Sequence, residues 1–298
     1  MKYMEKIIRH RSLQVFFFGL ILSLGFSACD KIEKPYIANT PNGGGDTTGT
    51  KTRKVLIEDF TGQKCGNCPG AAATINTIKG IYGEKVISVA LYTNFYATPS
   101  GAPYTYDFRT TFGNDYDATF QPVGWPAGMI NRRGYPTTTH WQNMSSWADT
   151  VGAVLALPQE ANIVITNNYN SSARVLNTSI RSEFLTLHNG NYKLIVLLTE
   201  DSIVKPQYFG PPISKDSLNY VHRHVLRDGI SSNSWGETLL SGTIVAGDTA
   251  VKTYNYTLPA AFPATNGIAP NENLCYVVAY IYDAATYEVI QAEEKKIK

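Results

Sequence analysis

The pattern of apolar and polar positions changes about halfway along the chain. In the first half, two mostly apolar runs at residues 54–60 and 85–92 flank an Ala-rich, helix-favouring segment at residues 65–82. Two buried strands joined by a helix are typical of a parallel βαβ unit. Another apolar run at residues 127–131 precedes an amphipathic helix. This order of elements predicts an α/β domain over residues 53–157.

In the second half, apolar and polar positions alternate with a period of two, which predicts strands with one buried face. These strands are expected at residues 161–166, 175–187, 192–199, 239–245, 251–258, 274–282 and 287–297. Seven or eight strands separated by Asn, Gly and Asp turns indicate an antiparallel β-sandwich of immunoglobulin-like size over residues 158–298.

The first 28 residues are typical of a secretion signal. A basic start precedes an apolar segment at residues 15–24, which is short for a membrane span of about 20 residues. Small residues then precede Cys29, as at a bacterial lipoprotein cleavage site, with Cys29 as the lipidated N-terminus. An ordinary signal peptide with an incidental Cys29 is the alternative. Residues 29–52 have little to bury and are predicted to form a flexible tether.

Composition narrows the functional classes. The 298 residues carry a formal net charge of +2 and form no basic stripe, so we expect no nucleic-acid partner. Four cysteines are too few for a disulfide framework. Cys275 lies in an apolar, strand-like run and is expected to be a buried structural thiol. We expect no cofactor.

The strongest chemical motif is the segment from Cys65 to Pro69, in which Cys68 is the second thiol. It lies where a predicted strand ends and a helix begins, which is the arrangement of a redox dithiol. Unpaired amide groups and the helix dipole at this end stabilise a thiolate at Cys65, which we expect to be the more exposed thiol. Lys64 would act in the same direction. Cys68 lies one helical turn away and can close a disulfide.

This segment resembles thioredoxin-like proteins. In that family, an Asp six residues before the first cysteine is a buried proton acceptor for the second thiol, and Asp59 stands at that spacing. The family also has a cis-proline opposite the dithiol. Pro126 is the candidate here, and it implies an insertion before residue 124. Trp125 could present an aromatic surface to a partner chain near the dithiol, or it could be a core residue.

A pair of histidines, His222 and His224, is a weaker signal. On a strand the two side chains would face the same side and could bind a metal. No third ligand stands close in sequence, so a strand edge near the domain junction is the preferred interpretation and no metal site is expected.

Several stretches together resemble the 28-kilodalton outer-membrane-protein family, exported lipoproteins of Bacteroidetes-type bacteria. These stretches are the lipoprotein start, the Gly-rich tether and residues 55–69, 124–132 and 222–227. The resemblance implies an outer-membrane location with a lipid anchor, on either the periplasmic or the cell-surface face. It implies no established reaction.

Two functions remain open. The first is a thiol–disulfide oxidoreductase that acts through Cys65, Cys68, Asp59 and Pro126 on exported proteins or a redox partner. The second is a surface binding or adhesion lipoprotein, in which the thioredoxin-like part is a scaffold and the Cys65–Cys68 disulfide is structural. In both cases the chain would meet the membrane through its N-terminal lipid. The sequence indicates no oligomeric state.

Overall fold

The computed structural model describes residues 51–298. The predicted signal peptide, Cys29 and the tether up to residue 50 lie outside the described residues. The described chain is rich in β-structure, with its helices in the first half. The helices are α1 (Cys68–Tyr82), α2 (Asn94–Ala97), α3 (Thr111–Phe120) and α4 (Trp147–Leu155). The strands are β1 (Val55–Thr61), β2 (Val86–Tyr92), β3 (Ala127–Ile130), β4 (Ala161–Asn170), β5 (Val175–Phe184), β6 (His188–Glu200), β7 (Ile203–Phe209), β8 (Lys215–His222), β9 (Val225–Gly229), β10 (Glu237–Ile244), β11 (Thr249–Thr257), β12 (Cys275–Asp283) and β13 (Val289–Lys296).

One large sheet dominates the described part of the chain. Its main path runs β13-β12-β6-β9-β2-β1-β3, and β10 also pairs with β6. Strands β1 and β2 are parallel, as the βαβ pattern predicts, whereas β3 runs antiparallel to β1. A three-stranded sheet in the order β11-β5-β4 and the separate β7–β8 hairpin complete the architecture.

The large sheet contains strands from both sides of the predicted boundary at residue 158. Strand β9 pairs antiparallel with β6 and, through Val225 and Ala90, parallel with β2. The Ala90 amide also donates to the carbonyl oxygen of His224 at 2.8 Å. The described residues form one compact unit. The antiparallel strands of the second half are present, but a self-contained immunoglobulin-like sandwich is not observed, because one of its two layers continues into β2, β1 and β3.

Alternation along β1 explains how the large sheet is buried on both faces. Val55 and Ile57 pack against α1 and α4, whereas Leu56 and Phe60 point to the opposite face. That opposite face carries a hydrophobic cluster that extends from β1 and α3 to β6 and β12. A third cluster joins the three-stranded sheet to β6, β10 and β12. Apolar burial therefore links the two halves of the chain.

The sequence pattern does not predict β7, β8 and β9. Almost every residue of β8 is at least partly exposed, β7 contains Pro206 and a register shift, and β9 has only 5 residues. Such strands lack the alternation that marks a half-buried sheet. Among residues 51–298, no helix has the length and apolar character needed to cross a bilayer.

Candidate functional site

The dithiol lies in the connection between the end of β1 and the start of α1, as predicted. The Cys65 amide donates to the carbonyl oxygen of Gly62 at 3.0 Å, and the Cys68 amide donates to the carbonyl oxygen of Cys65 at 3.3 Å. Cys65 and Cys68 form a disulfide with their Cα atoms 5.4 Å apart. The helix begins at Cys68 rather than at Cys65, and Pro69 occupies its first turn, where a missing N–H costs no helical bond. Cys65 therefore lies just outside the helix, in the turn that leads into it.

Neither cysteine is open to solvent, because the β7–β8 hairpin covers the connection. Cys65 and Cys68 are each only 2% exposed, so Cys65 is not the more exposed thiol that the motif predicts. The Tyr208 amide donates to the carbonyl oxygen of Gln63 at 2.8 Å, and the Gly210 amide donates to that of Gly66 at 2.9 Å.

A buried side chain reinforces this cover. The Gln207 side-chain amide donates to the carbonyl oxygen of Cys65 at 3.0 Å. At the closest approach of the two backbones, a Cβ atom on Gly66 would lie 2.7 Å from the Cα and N of Gly210. Glycine at position 66 is therefore needed for the hairpin to sit this close.

Asp59 lies inside the protein on β1, between Ala90 of β2 and Gly128 of β3. It is 3% exposed, and its Oδ1 atom has no hydrogen-bond partner within residues 51–298. Burial raises the pKa of the Asp59 carboxyl from 3.8 to about 7. Asp59 is therefore a buried acid that exchanges a proton near neutral pH.

A cavity of about 40 Å³ connects Asp59 to the dithiol. The side chains that matter for its chemistry are Asp59, Cys68, Ser88, Tyr92, His222 and His224. Such a volume has room for about two or three water molecules. Asp59 and Cys68 therefore line the same cavity.

The two histidines line this cavity, although they do not lie on one strand as the sequence suggests. β8 ends at His222, and His224 has a left-handed backbone with φ of 52°. The Nε2 atom of His222 lies 3.2 Å from the Lys205 carbonyl oxygen, which can only accept, so this nitrogen carries the proton. Nδ1 then accepts from the Tyr92 hydroxyl at 2.6 Å.

Both histidines are neutral at pH 7. Burial lowers the pKa of His222 to about 4, and burial followed by the charge of Lys79 lowers the pKa of His224 to about 4. No group of three or more His, Cys, Asp or Glu side chains in the described range could hold a metal ion.

The remaining predicted residues lie at the same end of the sheet. Ala127 pairs with Phe60, which brings Pro126 to the C-terminal end of β1, and the Trp125–Pro126 bond is cis. Pro126 is not among the residues that line the cavity. Trp125 is half-buried against the core, with its ring 5.9 Å from that of Tyr96.

Lys64 is expected from the sequence to stabilise a thiolate at Cys65, but its ammonium group contacts an aromatic ring instead. Its Nζ atom lies over the ring of Phe95 at 4.3 Å. A cation on an aromatic face is stabilised by the ring quadrupole, so this ammonium group has a partner of its own.

The sequence pattern does not predict the contribution of the hairpin to this site. Gln207, Tyr208 and Gly210 have no motif of their own, and Gln207 is 142 residues from Cys65 in the chain. The only signal in this region was the unusual His222–His224 pair. Those residues end the hairpin and enter the same cavity.

Comparison with known proteins identifies the family. The family model "Outer membrane protein Omp28" matches residues 113–298. The chain belongs to this family. No curated protein matches the chain.

Three solved structures are similar to parts of the chain. HBP35 of Porphyromonas gingivalis has 16% identity and a TM-score of 0.59, covering 84% of this chain and 76% of that one. A protein from Agrobacterium tumefaciens has 15% identity and a TM-score of 0.48, covering 84% and 96%. A domain of the outer membrane lipoprotein Omp28 from Porphyromonas gingivalis has 18% identity and a TM-score of 0.32, covering 48% and 91%. At this identity the similarity to HBP35 concerns the fold alone.

Proposed function

We propose that this chain is an outer-membrane-anchored lipoprotein with a thioredoxin-like site, at which Cys65 and Cys68 carry out thiol–disulfide exchange with exported proteins. The observation that carries the proposal is the cavity shared by Asp59 and Cys68. A disulfide with a purely structural role requires no acid in the same cavity. A carboxyl with an unpaired Oδ1 atom and a pKa of about 7, raised by burial, lowers the stability of the fold above that pH and suits proton transfer.

The exchange begins from the oxidised form. A partner thiolate attacks the Cys65 sulfur, the Cys65–Cys68 bond breaks, and Cys68 leaves with the bonding electron pair. Asp59, protonated near neutral pH, supplies a proton to the Cys68 sulfur through the cavity. A second partner thiolate attacks the partner sulfur of the mixed disulfide, and Cys65 leaves as a thiolate. The partner has then lost two electrons and gained a disulfide, and the protein has gained the two electrons.

The reverse sequence reduces a partner disulfide, with Asp59 accepting the proton from Cys68. The Cys65 thiolate is stabilised by its position before the first turn of α1, where the helix dipole is positive. Pro126, at the same end of the sheet, would border the groove that receives the partner chain.

Reduction of insulin disulfides in dithiothreitol tests this function. We expect the protein to accelerate the reduction and the Cys65→Ser variant to match the rate without protein. Cys275→Ala is the matched control, because Cys275 is buried and unpaired. It should keep the wild-type rate. Equal rates for the wild type and Cys65→Ser would refute the exchange activity.

A second function is favoured by one observation, the 2% exposure of both cysteines. In this alternative the chain is a binding or adhesion lipoprotein, and Cys65–Cys68 is a structural disulfide. The redox potential of the pair separates the two functions. A structural disulfide would have a potential below about −300 mV and would resist glutathione in the folded protein.

Membership of the Omp28 family supports the location in the outer membrane. The lipid anchor at Cys29 is a separate proposal, since this residue lies outside the described range. Cell fractionation with Cys29→Ala tests it. We expect the variant to move from the membrane fraction to the soluble fraction, whereas an unchanged membrane fraction would remove Cys29 as the anchor.

A further inference from the structure

The β7–β8 hairpin is attached to the protein mainly by polar contacts. It forms a two-stranded sheet of its own and shares no strand pairing with the large sheet. Within residues 203–222, only Ile203, Gln207, Gly210 and His222 are buried. The outer side chains are open to solvent, and Leu218 is 61% exposed. A segment with so little apolar burial belongs to the part of a structure that opens at low free-energy cost.

Two of its four buried residues face the dithiol connection. Gln207 donates through its side chain to the carbonyl oxygens of Cys65 at 3.0 Å and Gly62 at 3.3 Å. Gly210 approaches the backbone of Gly66. The other two buried residues, Ile203 and His222, anchor the base of the hairpin, and His222 does so through Tyr92. The hairpin therefore has a base at Ile203 and His222 and a separate tip at residues 207–210. The tip contacts the dithiol connection.

The contacts at the tip are two main-chain hydrogen bonds to the dithiol connection. Tyr208 and Gly210, two residues apart, donate their amides to the carbonyl oxygens of Gln63 at 2.8 Å and Gly66 at 2.9 Å. Alternate amides of an extended chain also bind a neighbouring backbone when a peptide adds to an exposed edge. The recognition uses main-chain groups that any extended peptide carries.

We propose that the segment Gln207–Gly210 is an internal cap that occupies the binding place of a partner peptide, and that an extended peptide around a partner cysteine displaces it to reach Cys65. This inference rests on the proposed exchange function and specifies its substrate class. The incoming peptide takes over the hydrogen bonds to Gln63 and Gly66. A small residue is favoured opposite Gly66, because a Cβ at the place of Gly210 would lie 3.3 Å from the Gly66 backbone. Opening of the cap is then the step that controls access to the disulfide.

The first test measures how fast dithiothreitol reduces Cys65–Cys68 in the oxidised full chain, with alkylation and mass spectrometry as the readout. Gln207→Ala removes the side-chain contacts of the cap, and Gly210→Val crowds the Gly66 backbone, which a Cβ at position 210 would approach to 3.3 Å. We expect reduction at least about tenfold faster in both variants, which corresponds to the loss of one or two hydrogen bonds. Leu218→Ala is the matched control in the same hairpin and should react at the wild-type rate. Equal rates in the wild type and both cap variants would overturn the proposal.

A second test leaves the hairpin sequence unchanged, so it does not depend on how the cap variants fold. The Cys68→Ser variant is joined through a mixed disulfide at Cys65 to a synthetic peptide with a single cysteine followed by glycine. Amide hydrogen exchange is then measured with and without the peptide. We expect the Tyr208 and Gly210 amides to lose protection when the peptide is attached, while the amides of β6 keep theirs. Retained protection at both amides would show that the cap stays in place and that the peptide binds elsewhere.

The two tests separate the cap from the exchange function. If the cap variants expose the disulfide but do not reduce insulin faster than buffer, the cap is correct and the exchange function is wrong. If the wild type reduces insulin while Tyr208 and Gly210 remain protected, the exchange function is correct and the cap is wrong.

Discussion

Replacing Asp59 by Asn removes the titrating group of the cavity and preserves its shape. Asp59 is 3% exposed, and burial raises the pKa of its carboxyl from 3.8 to about 7. Asn has nearly the same volume and cannot ionise. The variant therefore isolates the free energy that the folded protein loses when this carboxyl becomes charged.

The magnitude follows from the difference in pKa between the folded and unfolded chains. Between pH 4 and pH 7 the folded protein keeps the Asp59 proton and the unfolded chain has lost it, so the folded state binds more protons and its stability falls as the pH rises. The two pKa values, 3.8 and about 7, differ by roughly three pH units. At 1.36 kcal/mol for each unit, the ionised carboxyl destabilises the fold by roughly 4 kcal/mol above pH 7.

The two cavity histidines act in the opposite direction in the wild type. Burial lowers the pKa of His222 and of His224 to about 4, below the value of 6.5 expected in the unfolded chain. In this range the unfolded state binds more protons, so these groups contribute stability above pH 6.5 that is lost as the pH falls towards 4. Subtracting the wild-type curve from the Asp59→Asn curve cancels this contribution.

Urea unfolding of the oxidised wild type and Asp59→Asn from pH 4 to pH 8 gives the required difference. We expect the unfolding free energy of the variant to rise relative to the wild type by roughly 4 kcal/mol across this range, with the change complete just above pH 7. A difference that stays constant with pH would show that Asp59 is not desolvated in the folded protein. A difference that falls with pH would reverse the sign of the argument.

Two further predictions concern stability. Glu58→Gln removes the charged partner of Arg132, whose side chain is 0% exposed, so it should cost about 3–5 kcal/mol in urea unfolding. Glu288→Gln breaks the ion pair with Arg133, in which the Arg133 and Glu288 side chains are 40% and 38% exposed, and it should cost less than about 1 kcal/mol. Similar losses of stability in the Glu58 and Glu288 variants would contradict the role of burial. Gly128→Ala places a Cβ atom against the Trp147 ring and should destabilise the fold by about 1–3 kcal/mol, as measured by the urea midpoint. An unchanged midpoint would mean that the ring moves aside freely.

The local part of the site could be predicted from the sequence because neighbouring residues determine it. The apolar run of β1, the Cys65–Cys68 spacing and the Ala-rich segment place a dithiol where a strand leads into a helix. The spacing of Asp59 from Cys65 also puts the acid on the strand that precedes the dithiol. Burial then raises its pKa, and residues of α1 and β2 line the cavity into which Asp59 opens.

The long-range part could not be predicted in the same way. The hairpin carries polar and exposed residues that give no periodic signal, and its contacts with the dithiol loop use mainly backbone groups that every residue has. Strand β9 joins β6 to β2 through a few pairs, including Ala90 with Val225. The chain therefore looks like two domains in sequence, although one sheet runs through both halves.

The distance in sequence between the dithiol and its cover determines the order in which they appear. Gln207 follows Cys65 by 142 residues, so a chain that emerges N-terminus first presents both thiols long before residues 203–222 are available. Cys65 and Cys68 are therefore synthesised well before the residues that bury them in the folded protein.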